Sequence, residues 1–77
     1  MQKTISKSGI SQRERKVLEL LSFGQSSHEI AAQLYLSPYT VNDHRRSLRD
    51  KLRAKNVAQM IRKGFKLQLL NSKIQAL

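Results

Sequence analysis

Seventy-seven residues, 39% of them hydrophobic and none of them cysteine, make one small domain held by packing alone, which excludes a disulfide scaffold and leaves a modest core. Fifteen Lys and Arg against five Asp and Glu give a formal charge of +10, foreign to an ordinary small enzyme and suited to a polyanionic partner. No apolar run approaches the ~18 residues of a membrane span and MQKTISKSGIS lacks the apolar centre of a signal peptide, so no membrane partner is expected and the cytoplasm is the default.

Residues 1–10 lack hydrophobic periodicity and read as a flexible basic arm or a linker remnant, ahead of a domain expected to span 11–77. Ser11-Gln12-Arg13-Glu14 has the form of a capping box, and Val17, Leu20 and Leu21 follow as an apolar stripe. With Gly24 as a left-handed stop, this predicts a first helix over about 12–23. Ser26-Ser27-His28-Glu29 repeats the box before Ile30, Ala31 and Leu34, which predicts a short second helix over 27–34. Tyr35 and Leu36 leave room only for a tight link, because Ser37 is already a good N-cap and Pro38 suits the first helical position. A third helix is expected over 38–53 and a fourth, capped by Asn56, over 57–70.

The third segment, SPYTVNDHRRSLRDKLR, has an apolar back and a polar, partly basic front. Wound at about 100° per residue, Val41, Leu48 and Leu52 fall on one side with His44 at its edge, while Tyr39, Asn42, Asp43, Arg46 and Asp50 face the other way. Short helix, brief turn, longer helix is the helix-turn-helix plan, with Ile30, Leu34, Leu36, Val41 and Leu48 closing a core and small Ala31 letting the backbones approach. Residues 37–55 carry six basic and two acidic side chains and 17–36 carry two acidic and none basic, while 1–16 carry five basic and one acidic and 57–77 four basic, so positive charge is in excess everywhere but 17–36. The fold class predicted is all-α, a four-helix bundle-like domain containing a helix-turn-helix.

The fourth segment is apolar over more than half its circumference, through Val57, Ala58, Met60, Ile61, Phe65, Leu67 and Leu69. An ordinary surface helix needs an apolar stripe of only ~100°, so a second burial surface is expected, most economically a copy of the same helix across a two-fold axis. Val57, Met60, Ile61 and Phe65 are the candidate dimer residues. The alternative is that the tail, NSKIQAL, folds back over the same surface. Gly64 within this helix suits either a close helix contact or a weak point.

Residues 10–70 resemble the LuxR-type DNA-binding domain, also called the FixJ or GerE type, of bacterial transcription regulators. The series S-x-R-E-x-x-V-L from Ser11, Gly24, E-I-A-x-x-L from Glu29, S-x-x-T-V-x-x-H from Ser37 and the pair Lys51-Leu52 occurs in this order without a gap. The resemblance implies four helices, the third in the major groove and the fourth forming the dimer contact, in a bacterial cytoplasmic regulator. It places base-reading residues at Asn42, Asp43 and Arg46, which the helical wheel independently puts on the outer face. Thr40 and Lys51 match positions that meet backbone phosphate, and phosphate contacts position a protein without reading sequence.

Side-chain chemistry suits these roles: Arg46 can pair two donors with guanine O6 and N7, and Asn42 can pair with adenine N6 and N7. Tyr39 offers its ring to a thymine methyl or its hydroxyl to a phosphate, while an exposed turn tyrosine is the plainer reading. Arg45 and Arg49, on the flanks of the outer face, suit phosphates or solvent. Asp43 would be repelled by phosphate unless it accepts from cytosine or braces Arg46 one turn on, and bracing is favoured. Relatives often carry lysine where Asn42 stands and glycine where Arg53 stands, so base preference and the end of the third helix are expected to differ.

No nucleophile, base or paired-carboxylate arrangement stands out, so the chain is not expected to be an enzyme or to need a cofactor. With two histidines and no cysteine, a zinc site is not expected either, and His44 reads as a packing residue. The partners expected are double-stranded DNA and a second copy of the chain, with RNA polymerase a further candidate. The rival reading is a helical protein-interaction module whose fourth helix docks a transcription-machinery partner. RNA binding is disfavoured because two Tyr and two Phe are few for stacking unpaired bases.

Overall fold

Four helices are built on local signals that satisfy their own end groups. The computed structural model describes residues 9–67, 69 and 70, and among them no strand: α1 is Gln12–Ser22, α2 Ser27–Leu34, α3 Pro38–Leu52 and α4 Val57–Lys66. Both capping boxes form. Ser11 Oγ accepts from the Glu14 amide at 3.1 Å while Glu14 Oε1 accepts from the Ser11 amide at 3.0 Å, and Ser26 and Glu29 exchange the same bonds at 3.2 and 2.8 Å. Ser37 caps α3 through the Thr40 amide at 3.1 Å with Pro38 behind it, and Asn56 caps α4 through the Gln59 amide at 2.9 Å.

The helix ends explain the tight links. Gly24, at φ +87°, lets the amides of Gly24 and Gln25 reach the carbonyls of Leu21 and Leu20, the paired bonds that close a helix with a left-handed residue. The other two reversals use side-chain-bearing residues in the same conformation, Tyr35 at φ 58° and Arg53 at φ 54°. The expected third helix therefore stops one residue early, at Leu52, because Arg53 itself takes the left-handed turn and sends the Ala54 amide back to Arg49 O at 2.9 Å.

α3 packs on each of the other three helices, and its back face supplies Val41, Leu48 and Leu52 to a core with Val17, Leu18, Ile30 and Met60. Ala31 is buried, as close α2–α3 approach requires, and His44 is half-buried at the edge of the seam. Ile10, assigned to the arm from sequence, is instead fully buried in this core, so the packed domain already includes it. Residues 1–8 of that arm and 71–77 of the tail lie outside the described residues.

α4 is shorter than the expected 57–70. It ends at Lys66, after which the chain turns back so that the amides of Leu69 and Leu70 both reach Gly64 O, at 2.8 and 3.3 Å. Arg15 Nε fastens the turn by donating to Leu69 O at 3.0 Å, and both leucines are buried. Gly64 serves close packing: a Cβ there would lie 2.8 Å from Leu18 Cδ2 and 3.0 Å from Leu70 Cδ1. No helix among the described residues is long and apolar enough to cross a membrane.

A left-handed L-residue costs ~1–2 kcal/mol, more than the ~0.5–1 kcal/mol of extra unfolded-state freedom that glycine brings. Arg53→Gly is therefore expected to stabilise the domain by about 0.5–1 kcal/mol. The bond from Lys63 Nζ goes to the main-chain oxygen of residue 53, at 2.7 Å, and survives the change. Urea unfolding checks this, and a lower midpoint for the variant would refute it.

Candidate nucleic-acid interface

α3 is rotated so that its apolar seam meets the core and Tyr39, Asn42, Asp43, Arg46, Arg49 and Asp50 are exposed. Between its outer face and the start of α4 runs an open groove of about 360 Å³, lined by Asn42, Arg45, Arg46, Arg49, Lys55, Asn56, Val57 and Met60. Four of these side chains are cationic and none is acidic. The first turn of α4 adds the positive end of its dipole beside the groove, whose lining includes Asn56 and Val57. The surface can therefore hold a polyanion and present hydrogen-bond donors to it.

The two acidic residues on this face each have a basic neighbour. Arg46 Nη1 meets Asp43 Oδ1 at 3.2 Å, the i, i+3 brace that sequence spacing offered, with both side chains well exposed. Arg49 Nε lies 4.0 Å from Asp50 Oδ1. At the other end, Thr40 Oγ1 and Ser37 Oγ are 3.0 Å apart, so the hydroxyl of Thr40 belongs to the α3 cap, and Tyr39 beside it is 83% exposed.

One flank of α3 is pinned to α2. Ser27 Oγ, at the start of α2, donates to Asn42 Oδ1 at 2.7 Å and accepts from Arg45 Nη1 at 2.7 Å. The opposite flank is pinned to α1 through Glu14. Its Oε2 accepts from the Ser47 hydroxyl, and its Oε1 accepts from Lys51 Nζ at 2.9 Å as well as from the Ser11 amide. Burial alone would push the Glu14 carboxyl up. The hydrogen bonds from Ser47, Lys51 and Ser11, with the Lys51 charge, more than offset it and hold the group below the usual carboxylate range.

Lys51, expected at phosphate, bonds through its ammonium to Glu14 Oε1 and to Gly9 O at 3.1 Å, with its side chain still 38% exposed. The physical reason is the buried carboxylate, which needs a countercharge. On α4, Met60 is 2% exposed and packs into the domain's own core, so it offers no surface to a second copy. Val57, Ile61 and Phe65 are half-buried and form an i, i+4, i+8 line on α4, with exposed Ala58 beside them.

Sequence reasoning missed two residues. Glu14 reads fully as a capping-box residue, and nothing local shows its second oxygen meeting α3; Ser47 and Lys51 at i, i+4 on one flank were the available signal. Ser27 carries no sequence signal, because its partners lie 15 and 18 residues away. Among the described residues no cluster of acidic and histidine side chains is arranged to hold a metal ion.

A four-helix domain whose second and third helices meet through a tight turn, with a cationic groove along the third, is a helix-turn-helix domain. Residues 8–63 match the luxR family of bacterial regulatory proteins, and the chain belongs to that family. It is 45% identical over 56 residues to the transcriptional regulatory protein UhpA of Escherichia coli, covering 73% of this chain and 29% of that protein. UhpA of Salmonella typhimurium is 43% identical over the same shares. The transcriptional regulatory protein FixJ of Azorhizobium caulinodans is 41% identical over 54 residues, 70% of this chain and 26% of its own length. The chain thus spans less than a third of these relatives. No solved structure matches it significantly.

Because Glu14 titrates lower folded than unfolded, its contribution to stability is fully present above the ordinary carboxylate range and is lost as pH falls through the folded pKa. Glu14→Gln is expected to lose roughly 1–3 kcal/mol at neutral pH, since it replaces a buried charged acceptor by a neutral one. Urea unfolding of both proteins should show that gap narrowing as the pH is lowered through the acidic range. A gap that stays constant with pH would contradict the role given to the carboxylate.

Proposed function

We propose that this chain is the DNA-binding module of a bacterial, cytoplasmic transcription regulator, reading double-stranded DNA with α3 in the major groove and binding as a dimer to two related half-sites. The observation that carries this reading is the cationic groove along α3, formed by Arg45, Arg46, Arg49 and Lys55 beside the start of α4, on a helix pinned at both flanks. The regulatory names of the related proteins point the same way.

In this reading Arg46 and Asn42 address base edges, with Asp43 bracing Arg46 rather than facing phosphate. Tyr39, Thr40, Arg45 and Arg49 meet the backbone, and Lys55 joins them from the start of α4. Arg45 keeps this role while bonded to Ser27, because a guanidinium has five N–H donors and that contact engages one nitrogen. Lys51 is assigned to holding Glu14 instead. The dimer face is the half-buried line of Val57, Ile61 and Phe65.

Two substitutions separate base reading from backbone attraction. Arg46→Ala is expected to relax preference at one base pair, with a loss of ~1–3 kcal/mol on the selected site. Arg49→Ala should weaken all duplexes alike and lower the salt slope of log K by about one. Fluorescence anisotropy on selected and random duplexes across a salt series measures both, and wild-type behaviour from both variants on both duplexes would sink the groove assignment.

For the dimer, Ala58→Glu places a charge beside Ile61 at an exposed position, so the fold is left intact. Sedimentation velocity on a duplex with two half-sites is expected to show two wild-type chains per duplex and a clear fall in cooperative loading for the variant. A wild-type chain that is monomeric in solution and loads the two half-sites independently would remove the dimer from the reading.

A further inference from the structure

We propose that Ser27 is a positioning residue for base recognition: its hydroxyl fixes the carboxamide of Asn42 so that only the amide nitrogen faces the groove, making Asn42 a donor that selects guanine over adenine. This rests on the reading that α3 enters the major groove and goes beyond it by assigning a base and a residue of α2 that controls it.

The orientation follows from counting protons. Ser27 is only 9% exposed, and its Oγ contacts Asn42 Oδ1 and Arg45 Nη1, each at 2.7 Å. A hydroxyl has one proton and two lone pairs, and a guanidinium has donors only. Arg45 therefore occupies a lone pair, and the serine proton must find an acceptor. Asn42 Oδ1 is that acceptor. With the carboxamide turned over, its NH₂ would join Arg45 in donating to the same oxygen, and the hydroxyl proton of a nearly buried serine would lose its partner.

That orientation changes what Asn42 can read. Pairing with adenine needs Oδ1 and Nδ2 side by side on the base edge, the oxygen accepting from N6 and the nitrogen donating to N7. Here Oδ1 is turned toward α2, and Asn42, which is exposed and lines the cationic groove, presents its two N–H donors. The major-groove edge that offers two acceptors and no donor is that of guanine, at N7 and O6. The adenine pairing expected from side-chain type alone gives way to a guanine preference imposed from the neighbouring helix.

The test begins with selection of bound sequences from a random duplex pool by wild type and by Asn42→Ala, which identifies the position that Asn42 reads. Duplexes carrying guanine, 7-deazaguanine or adenine there are then titrated with wild type, Ser27→Ala and Ser27→Thr, with circular dichroism confirming the fold. Wild type is expected to favour guanine over adenine by about tenfold and to lose a similar factor with 7-deazaguanine, which lacks the N7 acceptor. Ser27→Ala should bring the guanine-to-adenine ratio to about one or below, because the released carboxamide can turn to the adenine pairing, while Ser27→Thr, which keeps a hydroxyl, retains the wild-type ratio. A merely structural serine would lower all affinities and leave that ratio unchanged, which would overturn the proposal.

A wild-type preference for adenine would overturn it too, and that arm needs no substitution, so it decides the matter even for a Ser27→Ala chain that fails to fold. If Asn42→Ala relaxes no position while Arg46→Ala relaxes one, groove reading survives and the proposal falls. If neither relaxes any position, the groove reading falls with it.

Discussion

The rest of the structure depends on a carboxylate that cannot be left alone. Glu14 is buried, and taking its charge out of water costs several kcal/mol unless donors surround it. The domain supplies them from the α1 cap, through the Ser11 amide, and from one flank of α3, through Ser47 and Lys51. The residue that starts α1 thereby also fixes where α3 lies along it. An apolar seam alone would tolerate some rotation of α3, because dispersion contacts have little directionality. Hydrogen bonds to one carboxylate do not.

The second constraint is the Ser27 contact on the other side. At about 100° per residue, Ser47 and Lys51 lie on one flank of α3 and Asn42 and Arg45 on nearly the opposite one, with the seam of Val41, Leu48 and Leu52 between them. Two polar clamps on opposite flanks and one apolar seam oppose rotation of the helix about its axis. The remaining arc, carrying Tyr39, Asp43, Arg46 and Asp50, faces outward because everything else is committed inward. Pre-orientation of this kind matters for a reader of base edges, since bidentate contacts tolerate little displacement.

What could be read from the sequence was local. Two capping boxes, the Ser37-Pro38 start and the apolar stripes each depend on residues within a few positions, and each formed as expected. The misplaced features were decided by contacts distant along the chain. Leu69 and Leu70 continue the apolar pattern of α4, yet they reach the core by folding back over Gly64 rather than by extending the helix. Met60 and Ile61 are neighbours in sequence, and only packing separates the first, buried, from the second, half-buried. Lys51 shows the limit most plainly: nothing near it in the sequence shows the buried acid of α1 that its ammonium meets at 2.9 Å.

The same logic gives Asp43 a place on a surface otherwise suited to a polyanion. Its pair with Arg46 is exposed, with side-chain exposures of 73% and 64%, and pairs of this kind are worth only ~0–1 kcal/mol. A contact so weak cannot stabilise the fold appreciably, but it restricts the rotamers of a long side chain that would otherwise lose its freedom on binding, at ~0.5–1.5 kcal/mol for an immobilised chain. It is also easily surrendered, since a guanine edge offers Arg46 two acceptors in place of one exposed carboxylate oxygen. On the proposed reading of α3, Asp43 therefore orders Arg46 before contact, and its own charge, unpaired once Arg46 turns to a base edge, lowers affinity rather than raising it.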